Sequence, residues 1–249
     1  MSRPHYVRDS NRMVHHLIAV EPDYEVAMAR AVGGNYYEAG ALERGILESL
    51  GLQGANYVID IGAGSGRLAT ALSDLPNLRY LGTDVVPELL DFARKKCGRA
   101  DWTFKRIETL QIPEADGVAD FVVFFSVLTH LTEAEGYRYL QEAKRVVKKN
   151  GTIVVSYLDP EIESHARQSS FRIRTLRLHL MQVWQTWREY KWWSQRLKRM
   201  LGRGRTFTSL LNKQVLNRWA KELNLSVTFL DEARVGQSIC TFRFDSARP

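Results

Sequence analysis

The residues best suited to bind a small ligand lie in the stretch YVIDIGAGSGRLATAL, residues 57–72. An apolar run reaches Asp60, glycines follow at positions 62, 64 and 66, and a helical pattern begins at Arg67. Glycine loses more chain entropy on folding than any other residue, so this spacing indicates a turn whose backbone must stay bare. Such turns at a helix start present N–H groups to a polar or anionic ligand. The stretch therefore predicts a ligand site.

The elements around this turn alternate between strand and helix. Apolar, β-branched runs predict strands, and apolar residues at three- and four-residue spacing predict helices. The predicted strands are 57–61, 78–85, 102–107, 119–127, 152–158, 225–230 and 238–244, and the predicted helices are 38–50, 67–75, one from Pro87, 132–147 and 210–223. Thr132 and Glu135 have capping-box spacing at the start of one of these helices. The pattern predicts an α/β fold with a doubly wound, seven-stranded, mostly parallel sheet.

Three regions follow from this assignment. Residues 1–53 form an N-terminal helical cap, 54–159 together with 206–249 form the core, and 160–205 form a basic, aromatic insertion before the last helix and strand pair. In a doubly wound sheet, ligands bind at the carboxyl ends of the strands. The turn after Asp60 lies at that edge.

Composition limits the classes of protein to consider. The 249 residues are 45% hydrophobic and 25% charged, as in ordinary globular proteins. No apolar run approaches the roughly 20 residues that a membrane span needs, and the N-terminus lacks the apolar core of a secretory signal. Cys97 and Cys240 are too few for a disulfide framework. We expect a cytoplasmic protein that holds no metal.

Two cofactor classes compete for the glycine turn. The dinucleotide fingerprint is Gly-x-Gly-x-x-Gly, and here Arg67 stands where that pattern has its third glycine. Asp60 is unfavourable beside a pyrophosphate but suits an ammonium group. A dinucleotide oxidoreductase is thus the weaker alternative.

The pattern Asp-x-Gly-x-Gly-x-Gly after a first strand resembles the class I S-adenosylmethionine-dependent methyltransferases. The resemblance implies that S-adenosylmethionine is the cofactor and that it lies against the turn, with contacts from Asp60, Gly62, Gly64, Gly66 and Arg67. It also implies that an acid after the second strand binds the ribose hydroxyls. Asp84, followed by Val85, has that place, although it would also serve as a helix N-cap and dinucleotide enzymes place an acid there too.

Further cofactor contacts follow from the same resemblance. Glu108, beside Ile107, takes the place of the acid near the adenine amino group, and its alternative role is that of a solvated loop acid. Ser126 lies at the end of the fourth strand, where cofactor and acceptor meet. Tyr36 and Tyr37 lie where related enzymes bring an aromatic ring over the cofactor, as a lid on its methionine end beside the substrate, and core packing explains them at least as well.

The residues after the fourth strand also bear on the reaction. The sequence FFSVLTHL lacks the Asn/Asp-Pro-Pro-Tyr/Phe motif of many amino-group methylases, and it resembles small-molecule and glycan methyltransferases. His130 is the candidate base that removes a hydroxyl proton, because the ordinary pKa of histidine is near neutrality. Local packing at a helix start is its alternative role. Asp159 and His165 follow the fifth strand and are further candidate substrate contacts.

The insertion carries the net charge of the chain, which is +7. Eleven basic and four acidic residues lie between Asp159 and Arg205, with four of the six tryptophans. Three roles fit: a substrate lid, an interfacial helix on an anionic membrane, or a phosphate-binding surface for nucleic acid.

The sequence thus predicts an O-methyltransferase of a small molecule, sugar or lipid-linked acceptor, with peripheral contact to an anionic membrane as a further expectation. An RNA methyltransferase and a non-catalytic cofactor-binding subunit are the alternatives, and a nucleic-acid partner is favoured only by the insertion.

Overall fold

The computed structural model describes residues 3–162, 208–230 and 236–245 of the chain. Three helices precede the sheet: α1 (His5–Val20), α2 (Tyr24–Ala31) and α3 (Tyr36–Ser49). The elements that follow are β1 (Tyr57–Ile61), α4 (Arg67–Leu72), β2 (Arg79–Asp84), α5 (Pro87–Cys97), β3 (Thr103–Arg106), β4 (Ala119–Phe124), a 3₁₀ turn (Leu128–His130), α6 (Glu133–Val146), β5 (Val147–Tyr157), α7 (Lys213–Glu222), β6 (Leu225–Phe229) and β7 (Ser238–Phe244).

One sheet organises the described residues. Its seven strands lie in the order β3-β2-β1-β4-β5-β7-β6. The first five strands pair in parallel, and β7 runs antiparallel to both of its neighbours. The order reverses between β1 and β4, which is where ligands bind in such sheets. The predicted doubly wound α/β fold is confirmed.

Helices cover both faces of the sheet, and β1 is therefore buried along its whole length. Ile59 and Ile61 point into one apolar cluster, which includes α6 and α7, and Val58 points into the other, which includes α4 and α5. Successive side chains of a strand point to opposite faces, so an unbroken apolar run needs a partner layer on each side. This rigid layer fixes the carboxyl ends of β1, β2 and β4 relative to one another.

Several element boundaries differ from the sequence prediction. Strand β4 ends at Phe124 rather than at residue 127, and Ser126 has φ of 63°, a left-handed value that extended strand does not allow. Helix α4 ends at Leu72 rather than 75, and α7 starts after an Asn212 N-cap rather than at 210. The predicted capping box of Thr132 and Glu135 is present at the start of α6.

The N-terminal helices pack on the carboxyl edge of the sheet. Val14, Met28 and Tyr36 from α1, α2 and α3 form a cluster with Phe92 of α5. The sequence predicts only the last of these three helices, and predicts it to start at residue 38 rather than 36.

Part of the predicted insertion lies outside the described residues, which stop at 162 and resume at 208. Within the described ranges, no helix has the length and apolar character required to cross a bilayer.

Candidate active site

A cavity opens at the carboxyl edge of the sheet, where the strand order reverses. The loops that follow β1, β2, β3 and β4 line it, and helices α1 and α3 close its other side. Its lining includes Tyr6, Met13, Val14, Glu43, Asp60, Gly62, Gly64, Arg67, Asp84, Val85, Ile107, Phe125, Ser126, Val127, His130 and Tyr139. The structure therefore brings most of the predicted cofactor contacts into one space.

The glycine turn lines the floor of this cavity. Gly62 and Gly64 have φ of 68° and 54°, which L side chains rarely adopt. A Cβ atom at Gly62 would also come within 2.6 Å of the Val127 Cγ2 atom. Glycine is therefore required at position 62 for two reasons: the positive φ of its backbone and the close approach of Val127 from the loop after β4.

Gly66 has a different role from the other two glycines. It is the N-cap of α4 with φ of 83°, and a Cβ atom there would lie 2.6 Å from the Ala93 Cβ atom of α5. It is not among the residues that line the cavity. The structure assigns this glycine to close helix packing, and its predicted contact with the cofactor stays a prediction.

Asp60 lies at the buried end of the cavity. Its Oδ2 atom accepts a hydrogen bond from the Tyr80 hydroxyl at 2.5 Å, and the residue is 2% exposed. Burial raises the pKa of this carboxyl to about 8, and the Tyr80 hydrogen bond opposes that increase. Asp60 is thus held in one orientation by a neighbour on β2.

Asp84 ends β2 and links two loops through its carboxylate. Oδ2 accepts from the Gly64 backbone N–H at 3.0 Å, and Oδ1 accepts from the Val86 N–H at 2.9 Å. Burial raises the pKa of Asp84, while these backbone donors lower it. Each carboxylate oxygen has more than one lone pair, so the group can still accept from a ligand hydroxyl.

Arg67 starts α4 and connects three elements. Its Nη2 atom lies 2.5 Å from Glu43 Oε1 of α3 and 3.5 Å from Ser126 Oγ, and its Nη1 atom donates to the Val32 carbonyl at 2.7 Å. The predicted cofactor residue Arg67 is therefore fixed by contacts on both sides of the cavity.

Ser126 and His130 occupy the loop after β4. The Ser126 hydroxyl accepts from Gln237 Nε2 at 3.0 Å, and its backbone N–H donates to Ser156 Oγ at 2.7 Å. These bonds hold a non-glycine residue at positive φ, a conformation that costs about 1–3 kcal/mol. His130 ends the 3₁₀ turn and lines the cavity.

The predicted aromatic contacts lie away from the cavity. The Tyr36 ring is buried, and its hydroxyl donates to the Ser65 carbonyl at 2.8 Å. The ring of Tyr37 is exposed and has Lys96 Nζ 5.8 Å from its centroid. Neither side chain is among the lining residues.

Glu108 and Asp159 are also absent from the cavity lining. The Glu108 carboxylate pairs with Arg106, and with Arg3 at 3.6 Å, and it lines a separate, open cleft. Asp159 is buried, and its Oδ1 atom accepts from the Glu161 N–H at 3.0 Å. His165 lies outside the described residues.

Sequence reasoning missed the contribution of the N-terminal helices. Tyr6, Met13 and Val14 of α1 line the cavity, and the Tyr6 hydroxyl donates to the Glu108 carbonyl at 3.0 Å. Glu43 of α3 lines it as well. The signal for Glu43 was its place on the buried stripe of α3, at positions 36, 40, 43 and 47.

Comparisons with known proteins agree with this fold. Residues 59–155 match a family model described as a methyltransferase domain. Demethylmenaquinone methyltransferase of Tropheryma whipplei is 29% identical over 112 residues, which are 45% of this chain and 46% of that protein. Ribosomal protein L11 methyltransferase of Geobacter metallireducens is 33% identical over 119 residues, 48% of this chain and 37% of that protein. The chain thus spans less than half the length of these curated relatives.

Among solved structures, the fold is shared with magnesium protoporphyrin IX methyltransferase of Synechocystis, which was solved with bound S-adenosylhomocysteine. The TM-score is 0.56 at 15% identity, and the match covers 92% of each chain. The matched residues 59–155 include the glycine turn, Asp84 and the loop after β4, and they carry most of the cavity lining. Residues 59–155 therefore match the methyltransferase domain that the resemblance to the class I S-adenosylmethionine-dependent methyltransferases predicted.

Proposed function

We propose that this protein transfers the methyl group of S-adenosylmethionine to an oxygen atom of a small molecule, a sugar or a lipid-linked acceptor. The observation that carries the proposal is the convergence of Asp60, the Gly62–Gly64 turn and Asp84 on one cavity at the edge of the sheet. Asp84 suits two ribose hydroxyls, since a carboxylate accepts from both. Asp60 lies where the cofactor's cationic amino-acid end would be placed.

The chemistry asks little of the protein beyond alignment. When bound, S-adenosylmethionine would supply an electrophilic methyl group to a nucleophile on the acceptor, with S-adenosylhomocysteine as the leaving group that keeps the electron pair of the broken carbon–sulfur bond. Positioning and exclusion of water supply much of the acceleration in such a displacement. A base is required only where the acceptor loses a proton, and His130 on the cavity wall is the candidate for a hydroxyl acceptor.

The acceptor class is supported by the loop after β4. Val127 lies against Gly62, and Phe125 and Leu131 also line the cavity, so its wall beside the glycine turn is largely apolar and suits an apolar acceptor. This loop carries no Asn/Asp-Pro-Pro-Tyr/Phe motif for planar amino groups. The relative whose name specifies a demethylmenaquinone substrate supports an apolar small molecule.

The binding step is tested first by calorimetry with S-adenosylhomocysteine and with a nicotinamide dinucleotide, each at the same protein concentration. We expect saturable binding of S-adenosylhomocysteine and none of the dinucleotide. The reverse result would refute the cofactor assignment. The acceptor is then found by incubating metabolite, lipid and RNA fractions with a labelled methyl donor and determining the mass of the product.

The proposed base is tested with His130→Ala. We expect turnover to fall by about 100-fold or more, in the range for loss of a general base, while the Kd for S-adenosylhomocysteine changes by less than about threefold. His16→Ala, on the exposed side of α1, is the matched control. Unchanged turnover in His130→Ala would remove this residue from the mechanism.

Peripheral membrane contact by the basic insertion, residues 160–205, remains a separate proposal. It is supported by the eleven basic residues and four tryptophans in that region. Cosedimentation with anionic vesicles at low and high salt tests it, and no binding at low salt would end it. Label appearing only in RNA would favour the nucleic-acid alternative, and cofactor binding without turnover on any fraction would favour a non-catalytic subunit.

A further inference from the structure

Glu43 is a buried acid that the predicted chemistry does not use. It is 1% exposed and lies on the face of α3 that packs against the core, beside Gly40 and Leu47. A carboxylate in such a place requires a partner, because burying an unpaired charge is costly. Burial raises the pKa of Glu43 to about 7, and the Arg67 guanidinium opposes that increase.

The packing of α3 brings Glu43 to Arg67. A Cβ atom at Gly40 would lie 2.5 Å from the Arg67 carbonyl oxygen, so the absence of a side chain there allows α3 to approach the start of α4 closely. Glu43 is three residues further along α3 and therefore lies on the same face. Its Oε1 atom is 2.5 Å from Arg67 Nη2.

These contacts leave Arg67 able to bind a ligand. A guanidinium has five N–H donors in a fixed plane, of which two donate to Val32 and Ser126, and Nη2 also forms an ion pair with Glu43. Apart from histidine, Arg67 is the one basic residue among the described residues that line the cavity, where it faces the acids Glu43, Asp60 and Asp84. An anionic ligand group in this cavity has Arg67 as its cationic partner.

S-adenosylmethionine carries such a group, the α-carboxylate of its amino-acid end. We infer that Glu43 is a positioning residue, which holds the Arg67 guanidinium so that Arg67 binds this carboxylate. The inference rests on the proposed function for its ligand. It assigns the amino-acid end of the cofactor to a pair of residues from α3 and α4, with Asp60 nearby to receive the ammonium.

The test compares two ligands that differ only in the amino-acid end. S-adenosylhomocysteine has it, and 5′-methylthioadenosine has the same nucleoside and a thioether without it. For Glu43→Gln, calorimetry should show the Kd for S-adenosylhomocysteine rising by about tenfold, as expected when a charge-assisted contact is lost, and the Kd for methylthioadenosine changing by less than about twofold. Glu38→Gln, an exposed acid on the same helix, should change neither.

A double-mutant cycle shows whether Glu43 acts through Arg67. Arg67→Gln should raise the Kd for S-adenosylhomocysteine more than Glu43→Gln does. The Kd of the double variant should be no higher than that of Arg67→Gln alone. Arg67→Lys, which keeps the charge but not the planar fork, gives the same ligand comparison if Glu43→Gln does not fold.

Several results would overturn the inference. Equal weakening of both ligands would show that Glu43 supports only the fold, and unchanged or tighter binding of S-adenosylhomocysteine would show that it does not position Arg67. Additive effects in the double variant would separate the two residues. Failure of the wild-type protein to bind either ligand would instead refute the proposed function.

Discussion

The two ends of the cavity are built in different ways. At the end where we propose that the amino-acid part of the cofactor binds, Glu43 and Asp60 are buried, and their partners Arg67 and Tyr80 lie 2.5 Å from them. At the end predicted to bind the adenine, Ile107 lines the wall, whereas Glu108 lies outside the cavity and pairs with Arg106 and Arg3 at the surface. Electrostatic contacts are stronger where water is excluded. We therefore expect cofactor affinity to depend on the buried end and on the ribose acid, and little on Glu108.

The largest effect is expected at the centre of the cavity, from Asp84→Asn. An amide cannot accept from both the Gly64 and Val86 N–H groups as the carboxylate does, and it loses the charge that favours the ribose hydroxyls. The two charge-assisted hydrogen bonds expected between this carboxylate and the ribose hydroxyls would be weakened, which predicts a rise of about 100-fold in the Kd for S-adenosylhomocysteine.

The control for that prediction is Asp91→Asn, which removes an exposed acid of α5 that pairs with Arg94. Its Kd should match the wild type. An Asp84→Asn protein that is folded and binds S-adenosylhomocysteine normally would show that the ribose does not contact this acid. Cofactor affinity would then not depend on Asp84.

The buried end should also make stability depend on pH. The pKa of Asp60 is raised by burial from an ordinary value of 3.8 to about 8, so between about pH 4 and pH 8 the folded protein without its cofactor holds a proton that the unfolded chain releases. The free energy of unfolding should therefore fall as the pH rises through this range. Urea denaturation at pH 5 and pH 8 measures the fall, and Asp60→Asn should reduce it.

Glu43 contributes in the same direction, because its pKa is also raised, to about 7. Some pH dependence should thus remain in Asp60→Asn and should shrink further in Asp60→Asn combined with Glu43→Gln. A fall in stability that is identical in the wild type and in Asp60→Asn would show that Asp60 is ionised in the folded protein.

The extent to which the sequence predicts this molecule follows the same division. The strands of the sheet, the turn at Gly62 and the acid at Asp84 are all marked by local patterns: apolar runs, glycine spacing and position after a strand. The cap of α6 is marked by Thr132 and Glu135. Short-range signals suffice for these features because each one is fixed by its own segment of backbone.

The buried end of the cavity could not be predicted from local patterns. An acid on a helix is usually solvated, and the contact of Glu43 with Arg67 arises only because α3 packs closely on the start of α4 at Gly40. Helix α1 was missed because its buried residues, Val7 and Val14, are separated by two turns of mostly polar residues. The positive φ of Ser126 depends on Ser156 and Gln237, which lie 30 and 111 positions further along the chain.

A smaller effect is expected from Tyr36→Phe. This variant distinguishes an effect on stability from an effect on cofactor affinity beside the buried end of the cavity. The hydroxyl donates to the Ser65 carbonyl and contacts Thr70 Oγ1 at 3.0 Å, so its loss leaves buried polar atoms with fewer partners. We expect a loss of about 1 kcal/mol in stability, or about 2–4 °C in Tm, with the Kd for S-adenosylhomocysteine changed by less than about threefold.

Tyr37→Phe is the matched control, since that ring is 65% exposed, and it should change neither quantity. If Tyr36→Phe instead raised the Kd for S-adenosylhomocysteine strongly at unchanged stability, the side chain would contact the cofactor, as the sequence predicts for this pair.

The smallest effect is expected at the adenine end, from Glu108→Gln. The Glu108 carboxylate is 32% exposed and pairs with Arg106 and Arg3, and pairs exposed to solvent contribute about 0–1 kcal/mol. We expect the Kd for S-adenosylhomocysteine to change by less than about threefold, and by the same factor in Asp116→Asn, which removes a more exposed acid further along the β3–β4 connection. A rise of tenfold or more in Glu108→Gln alone would mean that this carboxylate leaves Arg106 to accept from the adenine amino group, and the two ends of the cavity would then be equal in affinity.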